Sequence, residues 1–265
     1  MPSYLKTDDL STKAQRGLEK KVFHVSVIDF LKIESYIPAM DGKLSLVATP
    51  IGNMEDIALR ALRTLSEADI IFAEDTRHTA HLLNHYRIRK PLRSYHAFSE
   101  ARQSEEIATR VAQGERVALV SDAGSPGISD PGFRVVRSCL EKGLTLEVIP
   151  GPCAAIAALS ISGLPTDEFH FVGFLPSKTG ARKRRLYQLA PLPGTLVIYE
   201  SPHRLTRTLD QMIEIFPNRP MVVAREITKK FEEFRRGTIA DLLAHFQTHP
   251  PKGEFVILIG SKTKN

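Results

Sequence analysis

Two periods of apolar residues alternate along the chain from Lys43 onward. Short apolar runs bounded by turn residues mark strands, and apolar positions three to four residues apart mark helices. Lys43 to Gly52 (KLSLVATPIG) reads as a strand running into a turn, and Asp56 to Glu67 as a helix with Ile57, Ala61, Leu62 and Leu65 on one face. Asp69 to Thr76 is a strand ending in acids, followed by helices over Arg77 to Tyr86 and over Ser99 to Gln113, the second closed by Gly114. Arg116 to Ser121 is a strand whose apolar run Val117 to Val120 fits burial on both faces. Phe133 to Glu141 is a helix ended by Gly143, Thr145 to Ile149 a strand, and Cys153 to Ser162 a helix. In that last helix Ala154, Ala155, Ala157 and Ala158 are small enough for it to lie close to a sheet or a ligand. Such alternation predicts an α/β layer with a mostly parallel sheet.

The pattern changes after Gly163 to Asp167. Phe169 to Leu175, Thr195 to Glu200, Met221 to Ile227, a short piece near Glu233 to Arg236, and Glu254 to Gly260 read as strands. Helices fill Gly180 to Leu189, His203 to Phe216 and Thr238 to Phe246, and the shorter connections predict a mixed sheet. The expected organisation is therefore a two-lobed α/β chain: an N-terminal lobe over residues 41–163 and a C-terminal lobe over 168–265. Residues 1–40 read as an appended arm, with polar Met1 to Lys21 and an apolar piece, Val22 to Ile37, that lacks a cap; Met40 is a candidate natural start.

The 265 residues are 42% hydrophobic, enough for a substantial core, and no apolar run reaches the ~18 residues needed to span a bilayer. With no signal-peptide pattern at the charged N-terminus, a cytoplasmic protein is expected. The two cysteines, Cys139 and Cys153, have neither disulfide density nor metal-ligand spacing, so no metal is expected. A formal charge of +6 and a pI near 9.3 favour a polyanionic partner if the charge is clustered.

Four stretches carry candidate chemistry. The segment Asp122 to Gly132 (DAGSPGISDPG) places three glycines and two prolines after the buried strand, a shaped loop where an open α/β sheet would bind a cofactor. At Thr49 to Asn53 only one glycine stands where a dinucleotide fold has G-x-G-x-x-G, and no G-x-x-x-x-G-K-[ST] loop is present, which argues against NAD and ATP. Glu74, Asp75, Thr76 and Arg77 gather two acids and a base at a strand end, where Asp75 or Thr76 would equally serve as a helix cap and Arg77 as a surface ion-pair partner. Tyr199 to Arg204 (YESPHR) combines carboxylate, hydroxyl, imidazole and guanidinium, although Ser201 and Pro202 also fit a plain helix start. Ser177 to Arg185 holds Lys178, Arg182, Lys183, Arg184 and Arg185 with no acid, either a solvated face or a track for nucleic-acid phosphates that Arg87, Arg89 and Lys90 would extend.

Together the pieces VATPIGN, AEDTR, LVSDAGSPGISDPG, IPGPCA, GFLP, YESPHR and ARE with KKFEEFRRG resemble, in order from Leu44 to Gly260, the bacterial 16S rRNA (cytidine-2'-O)-methyltransferases of the tetrapyrrole methylase-like superfamily. The resemblance implies two α/β lobes with S-adenosylmethionine in the cleft, usually in a homodimer, and methyl transfer to a cytidine 2'-hydroxyl in the decoding region of small-subunit rRNA. It implies that Pro50, Asp122, Ala123, Gly124, Pro126, Gly127, Ile128, Pro152, Cys153 and Ala154 line the cofactor and that Tyr199 and Glu200 approach it from the second lobe. Cys153 stands where the family has serine, the N-terminal arm is extra, and the chain stops at Asn265 where some relatives continue into a helical tail. For the reaction so implied, Asp75 is the expected proton acceptor, with Glu74, Glu200 and His203 as alternates, and Arg77 and Arg204 hold phosphate or ribose. A tetrapyrrole-precursor methyltransferase and a non-enzymatic RNA-binding assembly factor are the rival readings.

Overall fold

A computed structural model describes residues 42–96 and 99–261. The expected N-terminal arm lies outside these residues. Five strands form the first sheet: β1 (Lys43–Val47), β2 (Ile70–Ala73), β3 (Leu92–Ser94), β4 (Arg116–Val120) and β5 (Thr145–Ile149), in the order β3-β2-β4-β1-β5. Every pairing is parallel. The central strands are apolar on both faces, as in β4, because helices cover both sides: α1 (Leu59–Glu67) and α2 (Thr76–His85) pack beside Val47, Ile71 and Ala118, whereas α3 (Glu100–Ala112) and α4 (Phe133–Glu141) pack beside Leu44, Phe72 and Val117.

The second sheet has the order β6-β7-β10-β8-β9, from β6 (Phe169–Phe174), β7 (Thr195–Glu200), β8 (Met221–Arg225), β9 (Glu233–Gly237) and β10 (Phe255–Ile259). Only β6 and β7 run parallel, so the sheet is mixed. Helices α6 (Thr179–Leu189), α7 (Leu205–Ile215) and α8 (Ile239–Thr248) bury its outer face around Leu196, Val223 and Ile257. On the other face lies α5 (Ala154–Ser160), whose Ala155, Ala158 and Leu159 pack against Val197, Val222 and Val256. The alanines let the helix approach the sheet closely, which joins the two halves of the fold at one apolar seam.

Two departures from the sequence pattern have local causes. The first helix starts at Leu59, three residues late, because Asn53 caps a single 3-10 turn over Met54–Asp56 and Ala58 is extended. The edge strand β3 is absent from the pattern because three half-exposed or exposed residues, Leu92, Arg93 and Ser94, carry too short a signal.

Candidate functional site

The carboxyl ends of β1, β2 and β4 meet at one edge of the parallel sheet, and the chain there is held by side chains it supplies itself. Thr49 and Gly124 exchange backbone hydrogen bonds at 2.9 and 3.1 Å, bridging the loops after β1 and β4. The Thr49 hydroxyl donates to the Ser121 carbonyl at 3.1 Å, and the Asp75 N–H donates to Asp122 Oδ1 at 2.8 Å. Gly124 sits at φ +82°, where an added Cβ would stand 3.4 Å from the Pro152 carbonyl oxygen and 3.5 Å from Ile51 Cγ2. Gly132, at φ +155°, admits no Cβ because one would come within 2.9 Å of the Gly127 nitrogen. The Glu100 carboxylate accepts from the Gly132 N–H at 3.2 Å, anchoring the far end of the loop at the start of α4.

This loop forms one wall of a cavity of about 270 Å³. Ala123, Gly124, Ser125, Ile128, Ser129 and Asp130 come from the loop, Ile51 from the turn after β1, and Cys153 and Ala154 from the start of α5. The opposite wall is supplied by the second sheet through Phe174, Tyr199, Glu200, Ser201, Pro202, Ile227, Glu254, Phe255 and Val256. Among the described residues no lysine or arginine lines the cavity, and its charged groups are all carboxylates. That lining suits an apolar, cationic ligand and offers nothing to neutralise a phosphate.

Of the expected cofactor residues, Ala123, Gly124, Ile128, Cys153, Ala154 and Tyr199 line the cavity, whereas Pro50, Asp122, Pro126, Gly127 and Pro152 are off its wall, in the same loops. The Tyr199 hydroxyl accepts from the Ala155 N–H at 3.1 Å, and burial pushes its pKa far above the ordinary phenol range. The ring packs edge-to-face on Phe171 and Phe174, with centroids 5.1 and 5.7 Å away; both phenylalanines are exposed, and Phe174 lines the cavity.

The expected catalytic groups are distributed differently. Asp75 is off the cavity wall and caps α2, accepting from the Arg77 backbone N–H at 2.8 Å and from its guanidinium at 2.9 Å. Those bonds, the side-chain ones foremost, hold its pKa down to about 2. It is a weak base, and Arg77 is occupied in pairing with it. Glu74 is half-buried, and burial, followed by the charge of Asp122, raises its pKa while His96 opposes the rise. Glu200 does reach the wall, but its oxygens accept from the Ser201 N–H at 2.8 Å, from the Thr208 hydroxyl at 2.7 Å and from Arg204 at 3.2 Å. Its side chain has no exposure, so it is a structural ion-pair partner. His203 is exposed in the turn before α7 and is off the wall.

The basic run is likewise split by the helix. Arg182 is buried at 1% exposure and donates to Gln211 Oε1 at 2.7 Å, so it cannot present charge to a polyanion. Arg204 is directed inward to Glu200 and to the Leu175 carbonyl. Lys183 pairs with Glu214 at 2.8 Å, while Lys178, Arg184 and Arg185 are exposed. Sequence reasoning missed Asp130, although it lies inside the motif that carries the resemblance, and missed Ile227 and Val256, which face the cavity only because the second sheet folds over it. Burial pushes the pKa of Asp130 up to about 7, aided by the charges of Glu74 and Asp122, with the Ser121 hydroxyl opposing.

The model of the tetrapyrrole (corrin/porphyrin) methylases matches residues 43–243. Proteins named ribosomal RNA small subunit methyltransferase I are similar over most of the chain. The one from Halalkalibacterium halodurans is 48% identical, covering 82% of this chain and 75% of its own, and the one from Thermotoga maritima is 45% identical, covering 83% and 99%. The solved structure of a cobalt precorrin-4 methyltransferase is 19% identical with a TM-score of 0.64, covering 85% of this chain and 98% of its own. Diphthine synthase is 14% identical with a TM-score of 0.66, covering 84% and 91%. At these identities the solved structures speak for the fold.

Proposed function

The chain belongs to the tetrapyrrole methylase family, and from that premise we propose that it is an S-adenosylmethionine-dependent methyltransferase that methylates the 2'-hydroxyl of a cytidine in the decoding region of 16S rRNA. The observation that carries this reading is similarity at 45–48% identity, over 82–83% of the chain, to proteins named for methylation of small-subunit rRNA. The cavity supports it chemically, because a wall of neutral backbone, alkyl groups and carboxylates suits a sulfonium nucleoside that has no phosphate.

When bound, the cofactor supplies an activated methyl group on a good leaving group. The chain must then align the ribose hydroxyl with that carbon and exclude water. In this reading residues 41–163 hold the cofactor through Gly124, Ile128 and Ala154, and residues 168–265 close over it with Tyr199 and Val256. Exposed Phe171 and Phe174 offer stacking faces for bases at the mouth, and exposed Lys178, Arg184 and Arg185 hold phosphates nearby. No helix among the described residues is long and apolar enough to cross a membrane. A cytoplasmic homodimer completes the reading, and the exposed Leu140 on α4 and Val148 on the edge strand β5 provide apolar surface for a second copy.

Methyl incorporation from labelled S-adenosylmethionine into small ribosomal subunits that lack the modification tests the proposal, with naked rRNA and a tetrapyrrole precursor in parallel. Alkali-resistant label at a cytidine ribose is the expected result. Label only in the tetrapyrrole would overturn the substrate, and no label with no cofactor bound would overturn the enzyme.

A further inference from the structure

Among the described residues, five titratable side chains line the cavity: Asp130, Cys153, Tyr199, Glu200 and Glu254. A base for the attacking hydroxyl must be free to accept a proton, and three of these are committed elsewhere. Glu200 is enclosed by Arg204, Thr208 and the Ser201 N–H. Glu254 is exposed and pairs with Lys229 at 2.8 Å. The Tyr199 oxygen already accepts from the Ala155 N–H, and its pKa lies too high for it to be ionised near neutrality. Cys153, at the N-cap position of α5, is a thiol beside the Tyr199 hydroxyl. Asp130 is half-buried on the loop wall, directly after Ser129 at φ 65°, and no cation bears on it among the described residues.

We propose that Asp130 is the catalytic base that accepts the proton of the attacking ribose hydroxyl, an assignment that rests on the methyltransferase reading above. The hydroxyl O–H bond breaks toward the Asp130 carboxylate as the oxygen bonds to the methyl carbon, and the carbon–sulfur electron pair returns to sulfur. One positive charge and one carboxylate charge are thereby consumed, leaving a neutral thioether, an ether and a carboxylic acid, which later returns its proton to solvent.

The groups around Asp130 tune it for this task. Glu74 after β2 and Asp122 after β4 repel its negative charge, Tyr199 faces it from the second sheet, and Cys153 stands beside that tyrosine. His96 acts on Glu74 and not directly on Asp130. A base performs best when its pKa lies near the working pH. Asp130 at about 7 meets that condition, whereas Asp75 at about 2 holds a proton too weakly.

The test compares wild type with Asp130→Asn on unmodified small ribosomal subunits from about pH 5 to pH 9. Wild-type kcat/KM is expected to rise to a plateau through a midpoint near 7, and the variant to lose about 10²–10⁴-fold in turnover together with that limb. Calorimetric binding of S-adenosylhomocysteine is expected to be retained by the variant, which shows that the cavity has folded. Carbon NMR of the unloaded wild type should show a carboxyl titrating near 7 that is missing from the variant. Retained turnover with an unchanged pH limb, or an Asp130 titration in the ordinary carboxylate range, would overturn the assignment. If wild type labels no RNA, the substrate reading itself fails and the base assignment falls with it, a result distinct from a wild type that works and a variant that works equally well.

Discussion

Asp130 and Asp75 show how environment separates two residues of identical chemistry. Asp75 spends its charge on the first turn of a helix and on Arg77, whereas Asp130 sits among acids with no cation to neutralise it among the described residues. Their pH linkages run in opposite directions. Because the folded pKa of Asp75 is depressed, its stabilising contribution is present above the unfolded value near 4 and is lost as the pH falls toward 2. Because that of Asp130 is raised, the native state holds a proton that the unfolded chain has released between about pH 4 and pH 7, and stability falls as the pH rises through that window. Asp130→Asn should therefore raise Tm by a few degrees at about pH 8 and leave it unchanged at about pH 4, as measured by thermal melts at the two pH values. Glu200→Gln is expected to act oppositely. Stripping the charge from a carboxylate with no side-chain exposure leaves Arg204 uncompensated at 23% exposure and should cost about 3 kcal/mol or more in chemical denaturation.

Individual elements translate such local chemistry into recognition. Helix α6 carries the basic run, yet its 3.6-residue turn sends Arg182 inward and leaves Arg184 and Arg185 outward. Replacing both exposed arginines by alanine should weaken rRNA binding and shallow the slope of log affinity against log salt by about 1–2, measured by filter binding across a salt series. The same replacement of Arg182 should mainly lower stability. In the loop after β4, Gly124→Ala places a side chain at φ +82° against Ile51 and Pro152, at a strain cost of roughly 1–3 kcal/mol. Cofactor affinity measured by calorimetry should drop about tenfold or more with secondary structure intact.

The whole molecule depends on one helix that belongs by sequence to the first half and packs on the sheet of the second. Ala158 of α5 is fully buried at that seam, and Ala154 at the start of the same helix lines the cavity. Arg236 of β9 reinforces the seam, donating to the carbonyls of Ser162 and Ile161 at 3.1 and 2.6 Å. Ala158→Leu would overpack the seam by three carbon atoms, with an expected loss of about 1–3 kcal/mol and a parallel loss of cofactor binding, because the helix start moves with the helix. Apart from the edge strand β3, the element order, the parallel and mixed character of the two sheets and the family motifs were legible in the chain, because strand and helix periods and Gly/Pro punctuation are local properties. The family resemblance pointed to Ala123, Gly124, Ile128 and Tyr199, and these four line the cavity. Which acid is free and which is paired was not local: the chain pointed to Asp75, with Glu74, Glu200 and His203 as alternates, and passed over Asp130. Only the fold set Arg204 against Glu200, left Asp130 beside Glu74 and Asp122, and turned Arg182 into the interior, since burial and charge proximity are fixed by tertiary contacts between residues far apart in sequence.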